Sequence, residues 1–178
     1  MKFTPTALDG PVLVELDVRS DDRGFFARAF CRQEFTDAGL VPPVEQANLS
    51  LNHRAGTVRG MHHQLDPAPE AKLVRCIRGA IVDVALDVRE GSPTRWQHVM
   101  VELSAANRLA FYVPPYFAHG YQTLVDDTEV LYQVSAPYAP DAERGLRPDD
   151  PALGIAWPLP FSLISDKDRS WPLLESGS

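Results

Sequence analysis

Hydrophobic positions in this chain recur at every second residue far more often than at helical spacing. Residues 80–88 read Ala-Ile-Val-Asp-Val-Ala-Leu-Asp-Val, a β-branched run that predicts a strand. Val82, Val84, Leu86 and Val88 then share one face, read as packed core, while Ile81, Asp83, Ala85 and Asp87 share the other. The second face mixes small, apolar and acidic groups, as does a barrel wall that borders a binding cavity. Further strands are expected over 12–18, 24–30, 45–51, 73–77, 97–103, 109–113 and 129–134. Turn signals separate them at Asp22-Arg23-Gly24, Arg78-Gly79, Glu90-Gly91-Ser92-Pro93 and Pro114-Pro115. Helical periodicity predicts only one element, over 32–38, of two turns at most. After Tyr138 the chain becomes Pro-rich and predicts ordered coil with one short helix. Its Trp157, Phe161 and Trp171 need apolar partners, so this tail is expected to wrap back over the strands. The pattern as a whole predicts an all-β protein, a jelly-roll β-sandwich or barrel with short helices and a C-terminal wrapping tail.

Composition narrows the function. The 178 residues suit one domain, 1–178, with a real core, and contain no repeat or linker. The longest strong apolar run is broken by Asp83 and Asp87, and no stretch reaches membrane-spanning length. Asp9, Glu15 and Asp17 occupy an N-terminus without an apolar signal region, so a cytoplasmic location is expected. In that setting Cys31 and Cys76 read as two free thiols sooner than as one disulfide, the alternative that the pair allows. A net charge of −7 argues against a nucleic-acid partner. A local cationic pocket for a phosphorylated small molecule remains available from Arg23, Arg59, Lys72 and Arg75.

The densest chemistry lies in Thr57 to Arg75, TVRGMHHQLDPAPEAKLVR. The turn at Pro67 and Pro69 is expected to fold His62 and Lys72 from two adjacent strands toward one cavity. A second cluster, Phe117-Ala118-His119-Gly120-Tyr121, is read as a His-Gly turn. Three readings fit these histidines. His62, His63 and His119 with a carboxylate are a plausible metal set. Against that, neighbouring histidines on a strand point to opposite faces, and no His-x-His with a following Glu is present. Alternatively, the histidines satisfy buried hydrogen bonds. In the third reading His62 is a general base, since an imidazole suits proton transfer near neutral pH. Proton loss beside a ketone creates an enolate, whose oxygen Lys72 or Arg59 is placed to stabilise. Tyr132 is then a candidate acid for the opposite face. There is no phosphate-binding loop, nucleophile elbow or dinucleotide fingerprint.

Taken together, the segments resemble the dTDP-4-dehydrorhamnose 3,5-epimerase family of the cupin superfamily. The resemblance runs through Asp22-Arg23-Gly24-Phe25-Phe26, Gln46-Ala47-Asn48-Leu49-Ser50, Arg59-Gly60-Met61-His62-His63-Gln64 and Lys72-Leu73-Val74-Arg75. It continues through Gly91-Ser92-Pro93-Thr94, Phe117-Ala118-His119-Gly120, Glu143-Arg144-Gly145, Trp157-Pro158 and Lys167-Asp168. The resemblance implies a jelly-roll homodimer, its N-terminal arm of about 1–45 contributing to the dimer, that works without metal or organic cofactor. It implies that His62 is the base, Asp168 its orienting carboxylate, Lys72 the enolate's cation and Tyr132 the acid. Arg59 and His119 fall on positions that contact sugar and phosphates. Arg23, Phe26, Gln46, Asn48 and Tyr138 fall around the nucleotide, partly across the dimer interface, and Arg28 lies in the strand that approaches it. Read from the residues alone, Asp168 is a solvated tail charge.

Four positions depart from the family pattern. Arg28 stands for a usual Glu, Tyr116 for a Gly, Pro148 for a Trp, and Glu70 for a Gln ahead of Lys72. Tyr116 adds bulk beside the His119 turn, where it is expected to reshape the sugar pocket. The implied partner is a nucleotide diphosphate sugar. A C3-only epimerase, a ketoisomerase and a non-catalytic nucleotide-sugar-binding cupin are the alternatives.

Overall fold

Alternating apolar strands bury a face only when a second layer covers it, and this chain builds that layer from its own strands. In a computed structural model, residues 1–174 are described. The strands are β1 (Lys2–Pro5), β2 (Val12–Glu15), β3 (Arg19–Asp21), β4 (Gly24–Phe26), β5 (Gln46–Asn52), β6 (Val58–Gln64) and β7 (Lys72–Arg78). They continue with β8 (Ala80–Asp87), β9 (His98–Ser104), β10 (Ala110–Val113), β11 (Phe117–Thr123), β12 (Thr128–Val134) and β13 (Glu143–Gly145). The helices are α1 (Arg32–Asp37) and α2 (Asp166–Ser170). Two antiparallel sheets face one another, ordered β1-β2-β10-β7-β12-β5 and β13-β6-β11-β8-β9, while β3 and β4 form a separate hairpin.

The central core lies between the sheets. Val74, Cys76, Phe111 and Val130 of the first meet Ile81, Ala85, Leu103 and Phe117 of the second. Outside the first sheet, α1 sets Phe35 against Phe3, Phe30 and Tyr112, with ring centroids 5.1 to 5.9 Å apart. Outside the second, the tail lays Leu146, Leu153, Ile155 and Trp157 on Met61, Val84 and Leu86. The expectation that the aromatic tail folds back is therefore met. Both faces of β8 are buried: its mixed face looks into the sandwich, and its valine face lies under the tail.

Two expectations need correction. β6 and β7 follow one another in sequence but belong to opposite sheets, so His62 and Lys72 face each other across the sandwich instead of lying side by side. The His119 segment is not a turn but the centre of β11, every residue of which is buried. Its glycine serves close packing of β11 against β6.

That contact shapes the site. Between β6 and β11, His62 stands opposite His119 and Arg59 opposite Tyr121, so β6 carries one residue more than its partner. Such a bulge brings Arg59 and His62, three apart, to the same side. Gly60 sits in it with φ +111°, and a Cβ there falls 2.6 Å from both Gly120 Cα and His119 O. Gly39 also has positive φ, +74°, but faces open space. Gly39→Ala is thus expected to cost about 1–2 kcal/mol, the ordinary left-handed penalty. Gly60→Ala adds a backbone clash and is expected to cost about 3–5 kcal/mol. Urea denaturation of the two variants checks the difference; equal costs contradict the bulge geometry.

Candidate active site

A cavity of about 690 Å³ opens between the two sheets. From β6 come Arg59 and His62, from β7 Lys72, from β11 His119, from β12 Tyr132, and from β5 Gln46 and Asn48. Tyr138 and Asp168 complete the set at its rim and base. Nine of the twelve residues expected at the site therefore line one cavity. Arg23, Phe26 and Arg28 do not line it within their own chain. Phe26 is 74% exposed, Arg23 pairs with Asp21 at 2.6 Å, and Arg28 pairs with Glu34 at 3.0 Å.

Asp168 arrives from the far end of the chain. Strand-like bonding of Val58 N–H to Leu163 O (2.8 Å) and Ser162 N–H to Gly56 O (2.9 Å) fixes the tail beside β6. Ser165 then caps α2, its hydroxyl accepting from Asp168 N–H at 3.0 Å. One turn of helix carries the Asp168 side chain inward, where the residue is 3% exposed. Its Oδ1 lies 2.5 Å from His62 Nε2, and its Oδ2 accepts from Gly60 N–H at 3.2 Å. Burial alone raises the Asp168 pKa, but these contacts outweigh it and hold the carboxyl below its usual value. An ionised Asp168 accepts, so Nε2 donates and Nδ1 is left with the lone pair. Asp168 is a built part of the site and not a solvated tail charge.

A second pair stands beside the first. His119 Nε2 lies 2.6 Å from Asp83 Oδ1, and burial raises the Asp83 pKa by more than His119 lowers it. The alternation in β8 had marked Asp83 as an acid on the inner face, but nothing local named His119 as its partner. Arg59 gives Nε to Asn52 at 2.8 Å; among the described residues its terminal nitrogens make no hydrogen bond or ion pair. Tyr138 donates to Glu143 at 2.8 Å, and Lys167 meets the same oxygen at 2.5 Å. Glu143 and Lys167 both lie in motifs of the resemblance, but nothing local in the sequence marks them as a pair. Burial raises the Tyr132 phenol pKa; Arg59 opposes this and Glu70 adds to it. Tyr116 borders a different cleft, with Trp96 and Arg89, and donates to Asp66 at 3.1 Å. It does not line the cavity, so its expected effect on the sugar pocket is not direct.

No three His, Cys, Asp or Glu side chains among the described residues converge as a metal ion needs. Among the described residues, no helix is long and apolar enough to cross a membrane.

Similarity to known proteins identifies the family. The model of the family described as dTDP-4-dehydrorhamnose 3,5-epimerase matches residues 5–176. An enzyme of that name from Sinorhizobium fredii is 49% identical over 159 residues, covering 86% of this chain and 80% of its own. The chain belongs to the dTDP-4-dehydrorhamnose 3,5-epimerase family. A crystal structure of the Bacillus anthracis enzyme, with TDP and PPi bound, matches at a TM-score of 0.92 and 39% identity, covering 97% of this chain and 99% of that one. A 3'-monoepimerase from Streptomyces bikiniensis, in complex with dTDP-quinovose, matches at 0.88 and 37%, covering 96% and 86%. The jelly-roll, all-β architecture of this epimerase family member is the expected one.

His63, adjacent to the paired His62, has a different fate. Burial, and then the nearby Lys72 and Arg144 cations, push its pKa down to about 4. A histidine depressed on folding adds stability above its unfolded pKa of about 6.5. As pH falls from there toward 4, the unfolded chain takes up the proton first and that contribution is lost. His63 is accordingly expected to titrate near pH 4 by NMR, and His63→Gln to flatten the fall in stability between pH 6.5 and 4. A His63 midpoint near 6.5 contradicts its burial.

Proposed function

We propose that this chain inverts C3 and C5 of dTDP-4-dehydro-6-deoxyglucose by proton transfer, with His62 as base and Tyr132 as acid. One observation carries the reading. The Asp168-bound His62 and Tyr132, whose hydroxyl has no hydrogen-bond partner among the described residues, come from opposite sheets and line the same cavity. A base and an acid on opposite walls are what inversion of a carbon requires.

The ketone at C4 acidifies the hydrogens on C3 and C5. His62 Nδ1 takes one of them, and the electron pair of that C–H bond moves into the C4 enolate. The imidazolium that forms is stabilised by the ionised Asp168, as in other histidine–carboxylate pairs. The Lys72 ammonium answers the charge on the enolate oxygen; a donor of this kind is typically worth about 10²–10³ in rate. Tyr132 returns a proton to carbon from the opposite face, and the proton on His62 replenishes the phenolate through solvent. Repeating the cycle at the second carbon needs only a readjusted ring. Arg59, its terminal nitrogens free among the described residues, and His119 suit the diphosphate and sugar.

The nucleotide is assigned to Gln46, Asn48 and Tyr138 together with Arg23, Phe26 and Arg28 of a second copy. That reading explains why an aromatic and two arginines stand exposed on the arm, within about residues 1–45, outside their own cavity. It makes the protein a homodimer that acts on a nucleotide diphosphate sugar, with no cofactor.

Incubation in D₂O with dTDP-4-keto-6-deoxyglucose tests the chemistry. Deuterium is expected at both C3 and C5 by NMR. Label at C3 alone identifies a monoepimerase, and no label identifies a binding protein. Tyr132→Phe is expected to slow inversion about 10²-fold or more while initial exchange persists, the size usual for a lost general acid.

A further inference from the structure

Glu70 was conspicuous in the sequence only as a departure from the family's usual glutamine. In the fold its carboxylate meets the Lys72 ammonium, with the two side chains only 12% and 8% exposed. Residues two apart on extended backbone share a face, so both turn into the cavity. The residue between them is clamped to the end of β12. Ala71 N–H donates to Ser135 Oγ at 2.8 Å, and Ala71 O accepts from Ser135 N–H at 3.0 Å. Among the described residues, neither Glu70 nor Lys72 has another side-chain partner.

We propose that Glu70 is a positioning residue, which holds the Lys72 ammonium at the cavity wall and sets a fixed negative charge in the cavity that Tyr132 also lines. The proposal deepens the function above and rests on Tyr132 being the acid. Tyr132 shares the cavity with Arg59 and His62 from β6, Lys72 from β7, and His119 and Tyr121 from β11; β5 offers it the uncharged Asn48. Within this set burial raises the phenol pKa, Arg59 favours ionisation, and Glu70 opposes it. An amide at position 70 can still accept from Lys72 but cannot counter Arg59. A carboxylate there keeps Lys72 paired and Tyr132 protonated to higher pH, so that the acid is charged with its proton when the enolate forms.

Ultraviolet difference titration isolates the Tyr132 phenol when each protein is compared with its Tyr132→Phe counterpart. Glu70→Gln is expected to move that ionisation to lower pH. The alkaline limb of kcat for inversion should move the same way, with KM little changed. Glu70→Asp, which keeps the charge, should restore the parental position of both. An unmoved phenol titration in Glu70→Gln overturns the proposal, as does a shift that Glu70→Asp fails to reverse. The two readings fail separately. If Tyr132→Phe inverts substrate at the parental rate, the acid assignment fails, while the titration still decides whether Glu70 governs the phenol.

Discussion

A carboxylate without water must find partners inside the protein, and the buried Asp168 imposes that requirement on the whole fold. Removing one partner from a buried charge pair typically costs about 3–5 kcal/mol. The partners here are the His62 imidazole and the Gly60 amide, which the bulge in β6 presents together. To deliver Asp168, the tail must cross the outer face of the second sheet, and Leu153, Ile155 and Trp157 anchor that crossing on Met61, Val84 and Leu86. The apolar packing of the tail and the orientation of His62, the proposed base, are therefore parts of one construction.

The same logic orders the charges in the cavity. The protein carries a net charge of −7, yet the cavity wall holds Arg59, Lys72 and Lys167 against Glu70, Glu143 and Asp168. Each carboxylate is already engaged: Asp168 by His62, Glu143 by Lys167 and Tyr138, Glu70 by Lys72. Arg59 alone among these cations has no carboxylate partner among the described residues. An acidic protein thus keeps one uncommitted guanidinium, with strong preference for phosphate geometry, in the cavity that we assign to an anionic nucleotide sugar.

Much of this was legible in the chain, for identifiable reasons. Strands β7, β8, β9, β10 and β12 lie within one or two residues of their expected limits, because each carries its own alternation and turn signals. Helix α1 was marked by a single two-turn pattern around Phe35. What pairs with what was not legible locally. The Pro67–Pro69 turn suggested neighbouring strands, but hydrogen bonding to β12 and β10 places β7 in the other sheet. The Phe117-Ala118-His119-Gly120 segment read as a turn because Gly120 looked like punctuation, whereas it accommodates Gly60 of the facing strand. Asp168 lies 106 residues from His62, and only the family resemblance distinguished it from the solvated charges around it. Asp83 was visible on an inward face, but its pairing with His119 depends on the register of β11 against β8. That register is set by long-range packing.

His62 is the group that we propose removes protons from the sugar. The most direct measurement is deuterium incorporation from D₂O into bound 4-keto sugar by His62→Asn, followed carbon by carbon. The side chain remains polar and of similar size but has lost its base. With His62 as the base, neither C3 nor C5 acquires label while the nucleotide sugar still binds. Incorporation at either carbon at the parental rate contradicts it and moves the base elsewhere in the cavity.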